Sequence, residues 1–451
     1  MRRSTILALG AGSLAGFVAA RAWKSNRKVQ LPATGKHVVI LGGGFGGLSA
    51  ASKLIDMVGD QLHITLVDQH NYHLFTPMLY QVATCGVVPY DVAIPLRSFT
   101  GSRGIIFRRA TVQGVDFEKR AVETDTGTIT YDYLIIALGS TANYFGNESA
   151  REHTLPLKSL EGGLAVRNHV IDCLEQAAQI TDKEEQKKLL TFVVIGGGAT
   201  GVETAGALAD AVCHLIPRRY PSLNTNDSRV IVIEAGSKLL GHMKDEMAQL
   251  ALRELQKAGV DVWLNTKAKN VSNGNIETEG GRSLSAATVL WATGIRASDV
   301  VSELKLDHGK GGSVSVNEFL QITKYPEVFA IGDNAAAQSG DKSVPALAAA
   351  ATQEGHTAAT NIVSQLQDKN LTRFQYKDLG SVVSVGHRVG VADIAGRVIG
   401  GFSGWLAWRV VHLTRITNFR NKLATVLDWS TGYFYDVDTA RLEVETREQA
   451  A

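Results

Sequence analysis

The sequence predicts an α/β fold in which two Rossmann-like units share one chain and a C-terminal helical region follows them. Three observations predict it. Two glycine-rich turns each leave an apolar β run: His37-Val-Val-Ile-Leu41 precedes Gly42-Gly-Gly44-Phe45-Gly-Gly47, and Phe192-Val-Val-Ile195 precedes Gly196-Gly-Gly198-Ala-Thr-Gly201. In each half the following β run ends in an acid, Asp68 after His63–Val67 and Glu234 after Val230–Ile233. A hydrophobic strand closing on Ala-x-Gly also occurs twice, at Ile136-Ala-Leu-Gly139 and Trp291-Ala-Thr-Gly294. That recurrence marks an internal repeat.

Each turn fits G-x-G-x-x-G between a strand and a helix, the context that makes the pattern a dinucleotide site. The first glycine makes the tight turn, the second admits a pyrophosphate to the backbone, and the third lets helix and strand pack closely. The phosphates then meet the positive end of the helix dipole. Gly42, Gly44, Phe45 and Gly47 are therefore candidate contacts to one cofactor, and Gly196, Gly198 and Gly201 to another. A carboxylate at Asp68 or Glu234 accepts hydrogen bonds from a ribose 2′-OH and repels a 2′-phosphate. The acids lie 26 residues beyond Gly42 and 38 beyond Gly196; a polar insert over 218–228 stretches the second spacing. No Arg closely follows Glu234, which favours NADH over NADPH. Two dinucleotides in one chain point to FAD and a nicotinamide, with FAD on the N-terminal fold and the NADH fold inserted into it. Glu327-Val-Phe-Ala-Ile331-Gly332-Asp333 supports this: a late strand ending in Gly-Asp brings Asp333 toward the FAD ribityl or pyrophosphate.

At 451 residues the chain accommodates two or three domains with real cores. Its 45% hydrophobic and 20% charged content is that of a globular α/β protein, and a net charge of +2 does not mark a nucleic-acid binder. Cysteine usage excludes one electron route. Cys85, Cys173 and Cys213 include no C-x-x-C pair, so a redox disulfide beside the flavin is not expected and electrons must pass directly to a diffusible acceptor. The twelve histidines show no ligand-like clustering with cysteines along the chain, so no metal site is expected.

Residues 1–35 carry an uncharged Ser4–Ala20 run between Arg2-Arg3 and Arg21/Lys24. It reads as a signal anchor, a cleaved targeting segment or a loose surface helix, since it is short for a span. The nucleotide folds divide as residues 36–145 with 295–376 for FAD and 146–294 for NADH. Strands are expected at 112–115 and 122–124, a charged helix over 181–190, and an Ala-rich helix over 345–363. The region 377–451 opens with strands around 381–391 and continues into an amphipathic helix over 404–429. There Trp405, Trp408, His412, Ile416, Phe419, Leu423 and Val426 step by three or four onto one stripe. No acid occurs from Ile394 to Leu427, against Arg397, Arg409, Arg415, Arg420 and Lys422. Trp and Arg bordering an apolar stripe suit a helix lying in a membrane interface; packing on the protein or on a second copy is the alternative.

The segment Asn71-Tyr-His-Leu-Phe75-Thr-Pro77-Met-Leu-Tyr80-Gln81-Val-Ala-Thr84 resembles a signature of the type II NADH dehydrogenases, the single-subunit, non-proton-pumping NADH:quinone oxidoreductases. The resemblance runs from Lys36 to about Tyr435, through Leu155–Leu160, Gly196–Glu203, Val328–Asp333 and Phe419–Lys422. It implies hydride transfer from NADH to flavin N5 and electron delivery from FAD to quinone, with the protein supplying stacking, water exclusion and electrostatics. It adds Thr84, Gly139 and Gly294 to the cofactor contacts. Glu203 matches an acid near nicotinamide and flavin that orders NADH; the other reading is an acid in the first helical turn, favourable to the dipole. The family's acceptor helix reads Ala-Gln-x-Ala-x-Gln. Here Ala348-Ala349-Ala-Ala-Thr352-Gln353-Glu354 keeps Gln353 but replaces the first Gln with Ala349, removing a donor worth about 0.5–1.5 kcal/mol to a quinone carbonyl. The resulting expectation is a peripheral membrane enzyme on the cytoplasmic face of a bacterial inner membrane, the mitochondrial inner membrane being the alternative, with a homodimer as a further expectation. Two other functions stay open: a soluble NAD(P)H-dependent flavin reductase with a protein acceptor, and a nicotinamide-sensing flavoprotein.

Overall fold

The computed structural model describes residues 35–272, 274–431 and 439–442. The expected N-terminal anchor or targeting segment, and the end of the family resemblance at Tyr435, lie outside the described residues. The chain gathers into two compact units. One holds the residues up to Gln69, Thr100–Ala137 and Ser315–Gln375; the other holds His70–Phe99, Leu138–Val314 and the residues from Tyr376 onward.

In the first unit six strands form one sheet in the order Gln321–Ile322, Tyr325–Ala330, Tyr133–Ile136, Lys36–Leu41, Leu62–Asp68, Ile106–Arg109. All neighbours are parallel except the edge pair Gln321–Ile322 with Tyr325–Ala330. Both faces are covered, so the central strands read as continuous apolar runs; Val38 to Leu41 and Leu134 to Ile136 are fully buried. Two helices cross on this sheet, Phe45–Val58 and Ala348–Leu366. They meet at glycine: a Cβ on Gly355 would overlap the Gly46 carbonyl oxygen.

The second unit repeats the pattern with a parallel sheet ordered Leu155–Pro156, Thr288–Trp291, Thr191–Ile195, Arg229–Ile233, Val260–Trp263. The charged helix runs Lys183–Leu189, started by the Asp182 side chain accepting from the N–H groups of Glu184 and Glu185. A three-stranded antiparallel sheet, Ser381–Gly386, Val389–Ile394 and Arg397–Gly400, leads into the C-terminal helices.

Here the structure corrects the expected single helix over 404–429. There are two helices, Gly401–Arg415 and Phe419–Thr431. The first ends at Ile416, which turns extended (φ −62°, ψ 126°). Asn418 starts the second: its Oδ1 accepts from Arg420 N at 3.0 Å and its carbonyl from Lys422 N at 3.1 Å. The stripe divides accordingly. Trp405, Trp408, His412 and Ile416 are buried, whereas Phe419, Leu423 and Val426 are exposed. The face of the first helix left open carries Phe402, Leu406 and Val410 instead. Among the described residues no helix is long and apolar enough to cross a membrane.

Candidate active site

The two glycine turns are built alike, atom for atom. In the first unit Gly42 (φ +102°) donates to Val67 O at 2.7 Å, and Gly43 donates to Asp68 Oδ2 at 2.6 Å. In the second Gly196 (φ +114°) donates to Ile233 O at 2.8 Å, and Gly197 donates to Glu234 Oε2 at 2.6 Å. The acid at the end of the next strand thus locks the turn it flanks. Glu234 is held at its other oxygen too, by Gly236 N at 2.5 Å.

The glycines separate into two kinds. A Cβ on Gly47 would overlap Gly42 O, and one on Gly201 would overlap Gly196 O, so these positions are required by the turn itself. A Cβ on Gly44 or Gly198 would meet nothing within 4 Å. Gly44 and Gly198 are the N-caps of helices Phe45–Val58 and Ala199–Arg219, and neither helix has a side-chain cap or an acid in its first turn. Open space above an uncapped positive helix end fits a pyrophosphate.

In the first unit Asp333 sits in the short turn Gly332–Asn334 that follows Tyr325–Ala330. Asn334 fixes that turn, its amide donating to Ile136 O at 2.9 Å and Ile331 O at 2.8 Å. Buried Glu354 accepts from Gly332 N, and burial pushes its carboxyl up to about 7. The Ile331 side chain lies against Gly46, so Asp333 comes two residues after one packed at the first glycine turn. Ala349 and Gln353 share the half-open face of helix Ala348–Leu366, and the Gln353 amide donates back to Ala349 O at 3.2 Å. The departure from the acceptor-site pattern therefore falls on an accessible face.

In the second unit a cavity of about 610 Å³ adjoins Gly196, lined by Tyr144, Phe145, Glu234, Thr266, Lys267 and Trp291 among others. Its size suits the nucleoside end of a dinucleotide. Gly294 (φ +63°) lies under the Phe145 ring, where a Cβ would collide with it. Gly139 (φ +70°) accepts a long bond from Ser298 N, and Thr84 donates its hydroxyl proton to Tyr80 O at 2.9 Å.

Glu203 is a buried and tightly held acid of this unit. It is 8% exposed and lies past the first turn of helix Ala199–Arg219, which corrects the first-turn reading, and its Oε1 accepts from Trp408 Nε1 at 2.7 Å and Ser384 N at 3.3 Å. Burial pushes its carboxyl up to about 8, with those two donors pulling the other way. Trp408 stacks on His412 at 4.1 Å and meets Tyr80 edge-on at 5.9 Å. Tyr80 OH accepts from Gln81 Nε2, and Gln81 Oε1 accepts from Trp429 Nε1, both at 3.0 Å. Asp91, buried beside Asp428, is pushed up to about 7 by burial and by that neighbouring charge. One network therefore ties the Tyr80-Gln81 signature to Glu203 and to both C-terminal helices. Sequence reasoning missed Trp408, Ser384 and Trp429 as partners of these residues. The pairing spans 181 residues for Ser384 and 205 for Trp408, and only the surplus of Trp in the C-terminal stretch hinted at it. The three cysteines are free.

Residues 36–355 match the model of the pyridine nucleotide-disulphide oxidoreductases, and residues 379–436 match that of the NDH2 C-terminal domain. The type II NADH:quinone oxidoreductase Ndh of Mycobacterium tuberculosis is 33% identical over 92% of this chain and 91% of its own. The Haemophilus influenzae protein named type II NADH:quinone oxidoreductase is 30% identical over 80% and 88%. The fold superposes on Plasmodium falciparum NDH2, solved in complex with NADH, with a TM-score of 0.82 at 20% identity, covering 90% of this chain and 99% of that one.

Proposed function

The chain belongs to the pyridine nucleotide-disulphide oxidoreductases and, among them, to the type II NADH:quinone oxidoreductases, and from that premise we propose how its residues divide the reaction. The enzyme oxidises NADH and reduces quinone through FAD. The observation that carries the division is the pair of acid-locked glycine turns, each with open space at its second glycine above an uncapped helix. Gly42, Gly44, Phe45, Gly47, Asp68 and Asp333, with Thr84 and Gly139, hold FAD on residues 36–145 and 295–376. Gly196, Gly198, Gly201, Glu234 and Gly294 hold NADH on residues 146–294. FAD supplies the two-electron chemistry that joins the hydride donor to the quinone. The residues do the rest: the helix ends neutralise the diphosphates, the strand-end acids take the ribose hydroxyls, and Glu203 keeps a proton in a dry site. Gln353, beside Ala349, offers its amide to the acceptor.

Both oxygens of Glu234 are fixed by backbone N–H groups, so its charge cannot swing away from a 2′-phosphate. Glu234→Gln is expected to raise the NADPH:NADH ratio of kcat/KM by about tenfold, the effect of ~1.4 kcal/mol of lost repulsion. An unchanged ratio removes Glu234 from the ribose site.

Peripheral membrane attachment is assigned to the open faces of the last two helices. Phe419 (78% exposed), Leu423, Val426 and Leu427 lie outward on one, and Phe402, Leu406 and Val410 on the other. Arg415 and Arg420 are exposed beside them. An apolar face rimmed by cations suits an anionic lipid surface. The buried Trp405 and Trp408 anchor the first helix to the protein rather than to lipid. In our reading the surface met is the cytoplasmic face of a bacterial inner membrane, which the bacterial origin of the relatives supports. The test is to replace Phe419, Leu423 and Leu427 together with Ser. Cosedimentation with anionic vesicles and turnover of a long-chain quinone in them should fall at least about tenfold, since each side chain forfeits roughly 1 kcal/mol of burial. Turnover of a short-chain quinone in solution should be kept. Equal loss of both activities overturns the membrane assignment.

A further inference from the structure

Histidines that show no clustering along the sequence are brought together by the fold. Asp210 and His214 stand one turn apart on helix Ala199–Arg219, and His387 reaches them from the turn between strands Ser381–Gly386 and Val389–Ile394. Asp210 Oδ1 lies 3.1 Å from His214 Nδ1, and Asp210 Oδ2 lies 3.6 Å from His387 Nδ1. One potential ligand atom from each residue falls within 4.8 Å of the others. The two imidazoles are 5.3 Å apart.

The third ligand is held in place. Gly206, one turn before Asp210 on the same helix face, packs so closely on the hairpin that a Cβ would overlap the Val385 carbonyl oxygen. Ser384 N bonds Glu203 on the same helix. The hairpin is thus seated on the helix at two points before its turn delivers His387. His214 Nδ1 faces the Asp210 carbonyl at 2.8 Å. A carbonyl only accepts, so this bond forms in the tautomer whose hydrogen is on Nδ1, which leaves the ring's lone pair on Nε2. A ring held by a backbone carbonyl in this way is typical of metal-binding histidines.

We propose that Asp210, His214 and His387 form a binding site for a divalent transition-metal ion of the zinc type. Two imidazoles and one carboxylate suit Zn²⁺, Co²⁺, Ni²⁺ or Cu²⁺, whereas Mg²⁺ and Ca²⁺ require mainly oxygen ligands. Three protein ligands leave a coordination position to water. The ion joins the helix of the second glycine turn to the C-terminal hairpin, the same pair of elements that Glu203 and Ser384 join nearer the helix start.

The test uses the full-length, FAD-loaded enzyme, free of any affinity tag and dialysed against a chelator. Zn²⁺ is titrated calorimetrically, Co²⁺ by its visible absorption, and Mg²⁺ as a control. The expected result is one Zn²⁺ per chain, a Co²⁺ band of low-symmetry coordination, a raised melting temperature and no response to Mg²⁺. His387→Ala and His214→Ala should each weaken Zn²⁺ binding at least about tenfold, the usual scale for losing one ligand, while the metal-free melting temperature stays at the wild-type value. Absence of one-to-one binding overturns the proposal. So does Zn²⁺ binding that both variants retain at full affinity, because the ion then sits elsewhere.

Discussion

Gly198→Ala is expected to raise the KM for NADH by at least about tenfold while leaving the melting temperature and the bound FAD at wild-type values. A Cβ at this position meets no protein atom within 4 Å, so the folded chain has no reason to resist it. On the proposed assignment the space it fills is where the pyrophosphate approaches the backbone, and a methyl there costs the ligand more than ~1.4 kcal/mol, a factor of ten. Gly44→Ala is the matching change in the other turn and should yield folded protein depleted of FAD. Gly201→Ala and Gly47→Ala form the control, because a Cβ at either overlaps a carbonyl oxygen of its own turn. Those variants should lose stability whatever the ligand. Calorimetry, flavin content and NADH kinetics on the four proteins separate ligand-imposed glycines from fold-imposed ones. A Gly198→Ala enzyme with wild-type KM contradicts the assignment of NADH to this turn.

Glu203 carries the second large effect. Its carboxyl is buried and pushed up to about 8 from an ordinary 4.5, so the fold binds this proton more tightly than the unfolded chain does. The associated stability is fully present below pH 4.5 and is lost as pH rises through about 8. Glu203→Gln preserves the neutral form, and its Oε1 still accepts from Trp408 and Ser384. The variant should melt with the wild type below pH 4.5, rise progressively above it from there to about pH 8, and stay above it at pH 9. The rate of flavin reduction by NADH should also lose the inflection near pH 8 that is expected of the wild type. Glu203→Ala behaves differently. It strands the buried Trp408 N–H, at a cost of about 1–3 kcal/mol, and lowers the melting temperature at every pH. An inflection near pH 8 that survives in Glu203→Gln assigns that titration to another group.

The parts of this protein that were legible in its sequence are those written in contiguous residues. Both glycine turns, their strand-end acids and the Gly332-Asp333 turn were legible because each is a short run whose backbone geometry demands particular residue types. The C-terminal stripe shows where that legibility ends. A three-and-four spacing identifies an apolar face, but it does not say what covers it. Half of the stripe proved to be core around Trp408 and half an exposed surface around Phe419. The break between them was signalled by Thr417-Asn418, a pair that favours a helix start, yet the continuing periodicity concealed it. Long-range partnerships left almost no trace beyond the surplus of Trp in the C-terminal stretch. Nothing near Glu203 specifies Trp408 or Ser384, and nothing near Asp210 and His214 specifies His387, because those pairings exist only once the C-terminal hairpin has docked on the helix.

The central claim, that electrons pass from NADH through FAD to quinone in this one chain, is tested most directly by an anaerobic two-step experiment. The FAD-loaded protein is reduced with one equivalent of NADH, and flavin absorbance is followed as a short-chain quinone is added. Fast bleaching followed by fast and complete recovery is the result expected here, with Gly198→Ala slowing the first phase and leaving the second unchanged. Fast bleaching with no recovery on addition of any quinone contradicts it.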